Sequence, residues 1–173
     1  MKISTRARYG LRLMVELTRE LRKQSPVHLG RIAEITGISD NYLAQLAIAL
    51  KNDGLLVGVS GKRGGYHLSR PPAEITISEV VRAVIGPLRL TACVDSPDVC
   101  LNSSFCEARL IWVILSGTMN EVLEKYTLAD LVDRDRVAAI RATYSYLPAL
   151  DADRVMVGES GGGKSGCPVK GEN

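Results

Sequence analysis

Between residues 4 and 23 the apolar side chains Leu11, Met14, Val15, Leu17 and Leu21 recur every three or four positions. That spacing predicts a first helix, with Ser4 or Thr5 as its cap and Gln24-Ser25-Pro26 as its end. A second, short helix is predicted over 29–36. A third is predicted over 40–52, capped by Ser39 and stopped by Asp53-Gly54. Ala33, Gly37 and Leu43 fall where a helix-turn-helix needs a small contact residue, a turn residue tolerant of positive φ and an apolar anchor. Ile32, Ile38 and Leu46 supply the contacts around them. A plain helical hairpin in a bundle is the alternative.

The pattern then changes period. Residues 55–59 and 66–68 read as two short strands around Ser60-Gly61-Lys62-Arg63-Gly64-Gly65, a glycine-rich hairpin tipped with cations. Such a wing brings backbone close to a duplex and sets Lys62 and Arg63 within reach of phosphates or the minor groove, with Gly64, Gly65 and Tyr66 forming its return. The third helix then lies in the major groove and presents Ser39, Asn41, Tyr42 and Gln45. Arg6 and Arg8 on the first helix complete the candidate DNA-binding set.

After Arg70-Pro71-Pro72 a short helix is predicted over 78–85, its Val80, Val81, Val84 and Ile85 packing on the first helix, and Gly86-Pro87 ends it. A long helix follows over 107–126. Leu110, Ile111, Ile114, Leu115, Met119, Val122, Leu123 and Tyr126 give it a broad apolar face, widened by Trp112 and Val113. A helix apolar over so much of its circumference buries two sides, and a second copy of itself is the simplest cover for one of them. Leu110, Ile111, Ile114, Leu115, Met119, Val122 and Tyr126 are therefore the candidate dimer interface. A final short helix is expected over 129–141, before a glycine-rich tail.

The expected fold is mainly α with a small β wing: a winged helix-turn-helix plus a long dimerisation helix. Residues 1–88 form the DNA-binding part, 89–106 a cysteine loop, 107–145 the dimerisation helix with the short terminal helix, and 146–173 the tail. The net charge of +3 hides an asymmetry: residues 1–70 carry 12 Lys and Arg against 5 Asp and Glu, and the remainder is acidic. A basic head suits a polyanion, although a solvated basic surface would give the same count. No apolar run is long enough for a membrane span and the start is not that of a signal peptide, so a cytoplasmic, nucleoid-associated location is expected.

In that compartment thiols stay reduced, so three cysteines on one loop suggest a metal or redox site rather than a disulfide framework. Cys93, Cys100 and Cys106 are separated by six and five residues in a segment rich in Pro, Asp, Asn and Ser. Thiolates suit iron–sulfur clusters, zinc or copper(I), and the absence of paired C-x-x-C elements speaks mildly against zinc. In the tail, Gly158 to Ser165 matches the phosphate-loop pattern, but without a following helix to carry it no nucleotide binding or enzymatic activity is expected.

Several motifs in this order resemble the Rrf2 family of bacterial transcription regulators, over roughly residues 1–140. They are the opening Met1-Lys2-Ile3-Ser4-Thr5-Arg6-Ala7-Arg8-Tyr9-Gly10, the Ser39-x-x-Tyr42-Leu43-x-Gln45-Leu46 pattern, Gly64-Gly65-Tyr66, and Leu128-Ala129-Asp130-Leu131. The resemblance implies a homodimer on a near-palindromic double-stranded DNA operator, acting as repressor or activator. It also implies, as in the IscR-like branch, an iron–sulfur cluster of the 2Fe-2S type on Cys93, Cys100 and Cys106. Relatives place a fourth ligand as a histidine where this chain has Arg109, or as a carboxylate where it has Arg8. Asp95, Asp98 and Glu107 are the nearby oxygen candidates, His28, His67 and Cys167 the distant ones, and the fourth ligand is open. Ligation would fix the start of the long helix against the DNA-binding part. A second branch of the family, concerned with cysteine metabolism, is cluster-free, and there control would pass to thiol oxidation or a partner protein.

Overall fold

The computed structural model describes residues 3–144 apart from Gln24, Ser25, Lys62, Asp95 and Leu101; the tail, with its phosphate-loop pattern and Cys167, lies outside the described residues. In chain order come α1 (Thr5–Leu21), α2 (Leu29–Thr36), α3 (Asp40–Asn52), β1 (Leu56–Val59), β2 (Gly65–Leu68), α4 (Ile77–Ile85), α5 (Glu107–Lys125), α6 (Leu128–Val132) and α7 (Arg134–Thr143). Three short 3-10 turns, Ala92–Val94, Pro97–Val99 and Ser103–Phe105, fill the segment between α4 and α5.

Local chemistry sets these limits. The Ser4 hydroxyl accepts from the Ala7 amide at 3.1 Å and starts α1. Gly37 ends α2 at φ 70°, donating its amide to the Ala33 carbonyl, and so makes the tight turn into α3. Ser39 occupies the N-cap position of α3, but its hydroxyl makes no capping bond and stays exposed. The single terminal helix expected over 129–141 is two. Asp133 breaks it with extended backbone, and its carboxylate accepts from the Asp135 and Arg136 amides, so it caps a new helix instead of continuing the old one.

The core sits where α1, α3 and α4 meet. Leu13, Met14, Leu17, Leu43, Leu46 and Val80 are fully buried there, each side chain contributing about 1.5–3 kcal/mol of transfer free energy. Gly10 governs the α1–α4 crossing, since a Cβ on it would stand 3.0 Å from both Val84 methyl groups. β1 and β2 pair antiparallel from Leu56 with Leu68 to Val59 with Gly65. Val27, ahead of α2, exchanges two backbone hydrogen bonds with Tyr66, at 2.9 and 2.8 Å, and anchors the wing to the helices.

The chain returns to this head after α5. Thr76 and Thr127 form an isolated antiparallel bridge, Ile77 N donates to Tyr126 O and Leu128 N to Ile75 O, both at 2.9 Å, and α6 packs on α1 with Leu128 fully buried. α4 and α5 therefore run out and back as a hairpin whose tip is the cysteine loop. Among the described residues no helix is long and apolar enough to cross a membrane.

Candidate nucleic-acid interface and cysteine loop

The candidate DNA-facing residues come from three elements. Tyr9 of α1 and Tyr42 of α3 meet edge to face, with ring centroids 6.0 Å apart. This contact brings the start of α1, with exposed Arg6 and Arg8, beside the start of the recognition helix. Arg8 stacks over the Tyr9 ring at 5.8 Å and donates to the Thr5 hydroxyl. Tyr42, expected to face DNA, is half-buried in this ring pair, so it positions the helix as well as bordering its exposed side.

Ser39, Asn41 and Gln45 are exposed, and Leu43, Leu46, Ala47 and Leu50 take the opposite, buried face of α3. Periodicity places these four on one side and leaves Ser39, Asn41 and Gln45 on the other. In the wing, Arg63 is exposed and Lys62 lies outside the described residues. Gly64 is buried, and a Cβ on it would strike the Val59 and Gly61 carbonyl oxygens; one on Gly65 would strike the carbonyl of Val27. Both glycines and the Tyr66 backbone thus shape the wing itself.

Hydrogen bonds at three levels along the α4–α5 hairpin join its two arms. Nearest the tip, the Arg109 guanidinium donates to the carbonyls of Cys93 at 2.7 Å and Val94 at 3.5 Å. Further down, the Asn120 amide donates to Leu88 O; at the base stand Ile77 and Tyr126. From Arg109 to Tyr126 a helix rises about 25 Å. The cysteine loop therefore lies over the first turns of α5, at the end remote from the head.

Cys93 is half-buried, with its sulfur 3.2 Å from the Thr91 hydroxyl, while Cys100 and Cys106 are exposed; all three are free of disulfides. The donor chemistry suits a thiophilic metal centre. Their placement does not gather them: among the described residues no group of three or more His, Cys, Asp and Glu side chains converges as a metal site. Arg109, at the position where the resemblance implied a histidine ligand, holds the loop by its backbone. Asp98 and Glu107 are exposed, Asp95 lies outside the described residues, and His28 and His67 belong to the head. His28 is the N-cap residue of α2 without a capping bond, and His67 Nδ1 pairs with the carbonyl of Leu68.

A sequence model of the Rrf2 family, described as an iron-dependent transcriptional regulator, matches residues 3–134. The chain belongs to the Rrf2 family. The chain is 37% identical over 131 residues to the transcriptional regulator CymR of Bacillus subtilis, covering 76% of this chain and 89% of the relative. The solved structure of that protein, named there the global cysteine regulator, superposes with a TM-score of 0.61 at 33% identity, over 76% of this chain and 96% of its own. The solved T. potens IscR superposes with a TM-score of 0.62 at 29% identity, over 87% and 93%. The mostly helical Rrf2 fold with its two-stranded wing is thus shared with these relatives, and the chain is a transcriptional regulator of that family.

Proposed function

We propose that this Rrf2 regulator is a homodimer that binds a near-palindromic operator, with affinity set by an iron–sulfur cluster of the 2Fe-2S type on Cys93, Cys100 and Cys106. The observation that carries the homodimer is the bareness of α5 next to the cysteine loop; the cluster rests on the three thiols of that loop and the resemblance to the IscR-like branch. Leu110 through Leu115 are exposed in succession, Leu110 at 61% and Ile114 at 53%, and Phe105 of the loop at 87%. Consecutive residues point round the whole circumference of a helix, so this surface needs cover on more than one side. A two-fold pairing of α5 helices supplies it, through Leu110, Ile111, Ile114, Leu115 and Val122 with Met119 and Tyr126 toward the base.

In the bound state such a cluster supplies redox chemistry and lability to oxygen and nitric oxide. Within the chain, Arg109 holds the backbone of the loop on α5, and the loop adjoins the proposed dimer seam. Rearranging the loop to gather its thiols would alter how the two α5 helices pack, and with them the spacing of the two heads. On each head, Arg6, Arg8 and Arg63, with Lys62, serve phosphates, while Ser39, Asn41 and Gln45 face base edges.

The second reading keeps the dimer and DNA but controls the loop by thiol oxidation or a partner protein. It is favoured by the scatter of the three sulfurs and the Arg109 clamp. Anaerobic purification followed by visible spectroscopy with iron and sulfide analysis separates the two. Broad visible absorption lost in Cys100→Ala is the expected result; a colourless, iron-free protein would leave only the second reading.

A further inference from the structure

The exposed side of α3 carries a side chain that the helix-turn-helix pattern does not assign. Successive residues of an α-helix turn by 100°, so Asn41, Gln45, Ile48 and Asn52 fall within a sector of about 60°. All four are exposed, and Ile48 is 55% exposed although it is aliphatic. The stripe contains three carboxamides and one branched hydrocarbon, with no cation and no carboxylate. Asp40 and Lys51 lie to its side, and the Lys51 ammonium rests against Gly58 of the wing. Positive charge is placed elsewhere, on the start of α1 and the tip of the wing.

Each base pair in the major groove asks for a different side chain. Arginine or lysine pairs with guanine and a carboxylate accepts from cytosine, whereas asparagine and glutamine bond bidentately to adenine, and an apolar side chain meets the thymine methyl. The stripe has the last two chemistries and lacks the first two. Asn41 to Ile48 covers about 10 Å along the helix, the length of roughly three base pairs. A lone exposed isoleucine on any surface is ordinary. One flanked by amides, on the face that the helix-turn-helix turns to the groove, is matched to a partner.

We infer that α3 reads a short run of A·T pairs in each half-site, with Ile48 seated on the C5 methyl of one thymine. This rests on the DNA-reading role proposed above and adds which bases are read and by which side chain.

The test begins with operators selected by the native protein from a randomised duplex pool. Each thymine of a selected half-site is then replaced singly by uracil, which removes only the methyl group. At one thymine the replacement should lower the affinity of the native protein about fourfold, the worth of one buried methyl. The same replacement should leave the affinity of Ile48→Ala unchanged. Alanine is the better helix former at this exposed site, so the variant keeps its fold, as thermal melting would verify. Equal losses for both proteins at every thymine would overturn the inference. So would selected half-sites with G·C pairs throughout the segment that α3 covers. Recovery of no common sequence would instead remove the DNA-reading role beneath it, and the inference with it.

Discussion

Thr76 and Thr127 pair across an antiparallel bridge, and each is at the same time the N-cap of a helix. The Thr76 hydroxyl accepts from the Glu79 amide while the Glu79 carboxylate accepts from Thr76 N; Thr127 and Asp130 repeat the arrangement for α6. Arg70, at the exit of the wing, donates to Glu79, and Arg136 of α7 donates to Asp130. Two capping boxes back to back thus join the wing, the base of α5 and the first residues of α4 and α6.

Loss of either cap should destabilise the fold by about 1 kcal/mol, in Thr76→Ala and in Thr127→Ala. Because the two share a bridge, the double variant should cost at least about 0.5 kcal/mol less than the sum of the singles. Urea unfolding at one fixed protein concentration measures this. Additivity within a few tenths would show two independent helix starts.

Acid should weaken the same junction. Burial alone would raise the pKa of Glu79, but the Thr76 amide and the Arg70 guanidinium outweigh it and hold the carboxyl below its usual range. The same balance lowers Asp130, through Thr127 and Arg136, and Glu20, through Lys23 and Arg31. A carboxylate with a depressed folded-state pKa contributes stability that is complete above its unfolded value and lost as pH falls through the folded one. Unfolding free energy should therefore be level at neutral pH and decline below about pH 5. In Glu79→Gln the decline should be shallower, and an unchanged acid limb would contradict the assignment.

A charge in the bare face of α5 should separate the protomers. Ile111→Asp or Ile114→Asp is expected to give a monomer by light scattering with unchanged helix content. Affinity for a two-half-site operator should fall by more than about tenfold, since the second half-site would no longer be bound intramolecularly. A variant that remained dimeric would place the dimer seam elsewhere.

The head was legible because its constraints are local. A turn that needs positive φ selects Gly37, a buried face selects Leu43, Leu46 and Leu50 at helical spacing, and a tight hairpin selects the glycines of the wing. The caps at Thr76, Thr127 and Asp133 did not enter the sequence reading, which ran one helix over 129–141. Their meeting was not legible at all, because periodicity says nothing about which distant backbone groups pair. The same limit concealed the burial of Tyr42 against Tyr9 and the position of the cysteine loop at the far end of α5. Ile48 was passed over because an apolar residue within an amphipathic pattern reads as core; only its exposure shows that it lies on the other side.

The central claim, that the state of the cysteine loop sets the grip on DNA, is tested most directly by operator affinity. It is measured on native protein kept anaerobic and again after nitric oxide exposure, with Cys100→Ala alongside. The native protein should change affinity by about tenfold or more, a coupling of roughly 1.4 kcal/mol, in whichever direction, and Cys100→Ala should not change. An unaltered native affinity, with the visible spectrum or the free-thiol count showing that the loop had reacted, would contradict the account.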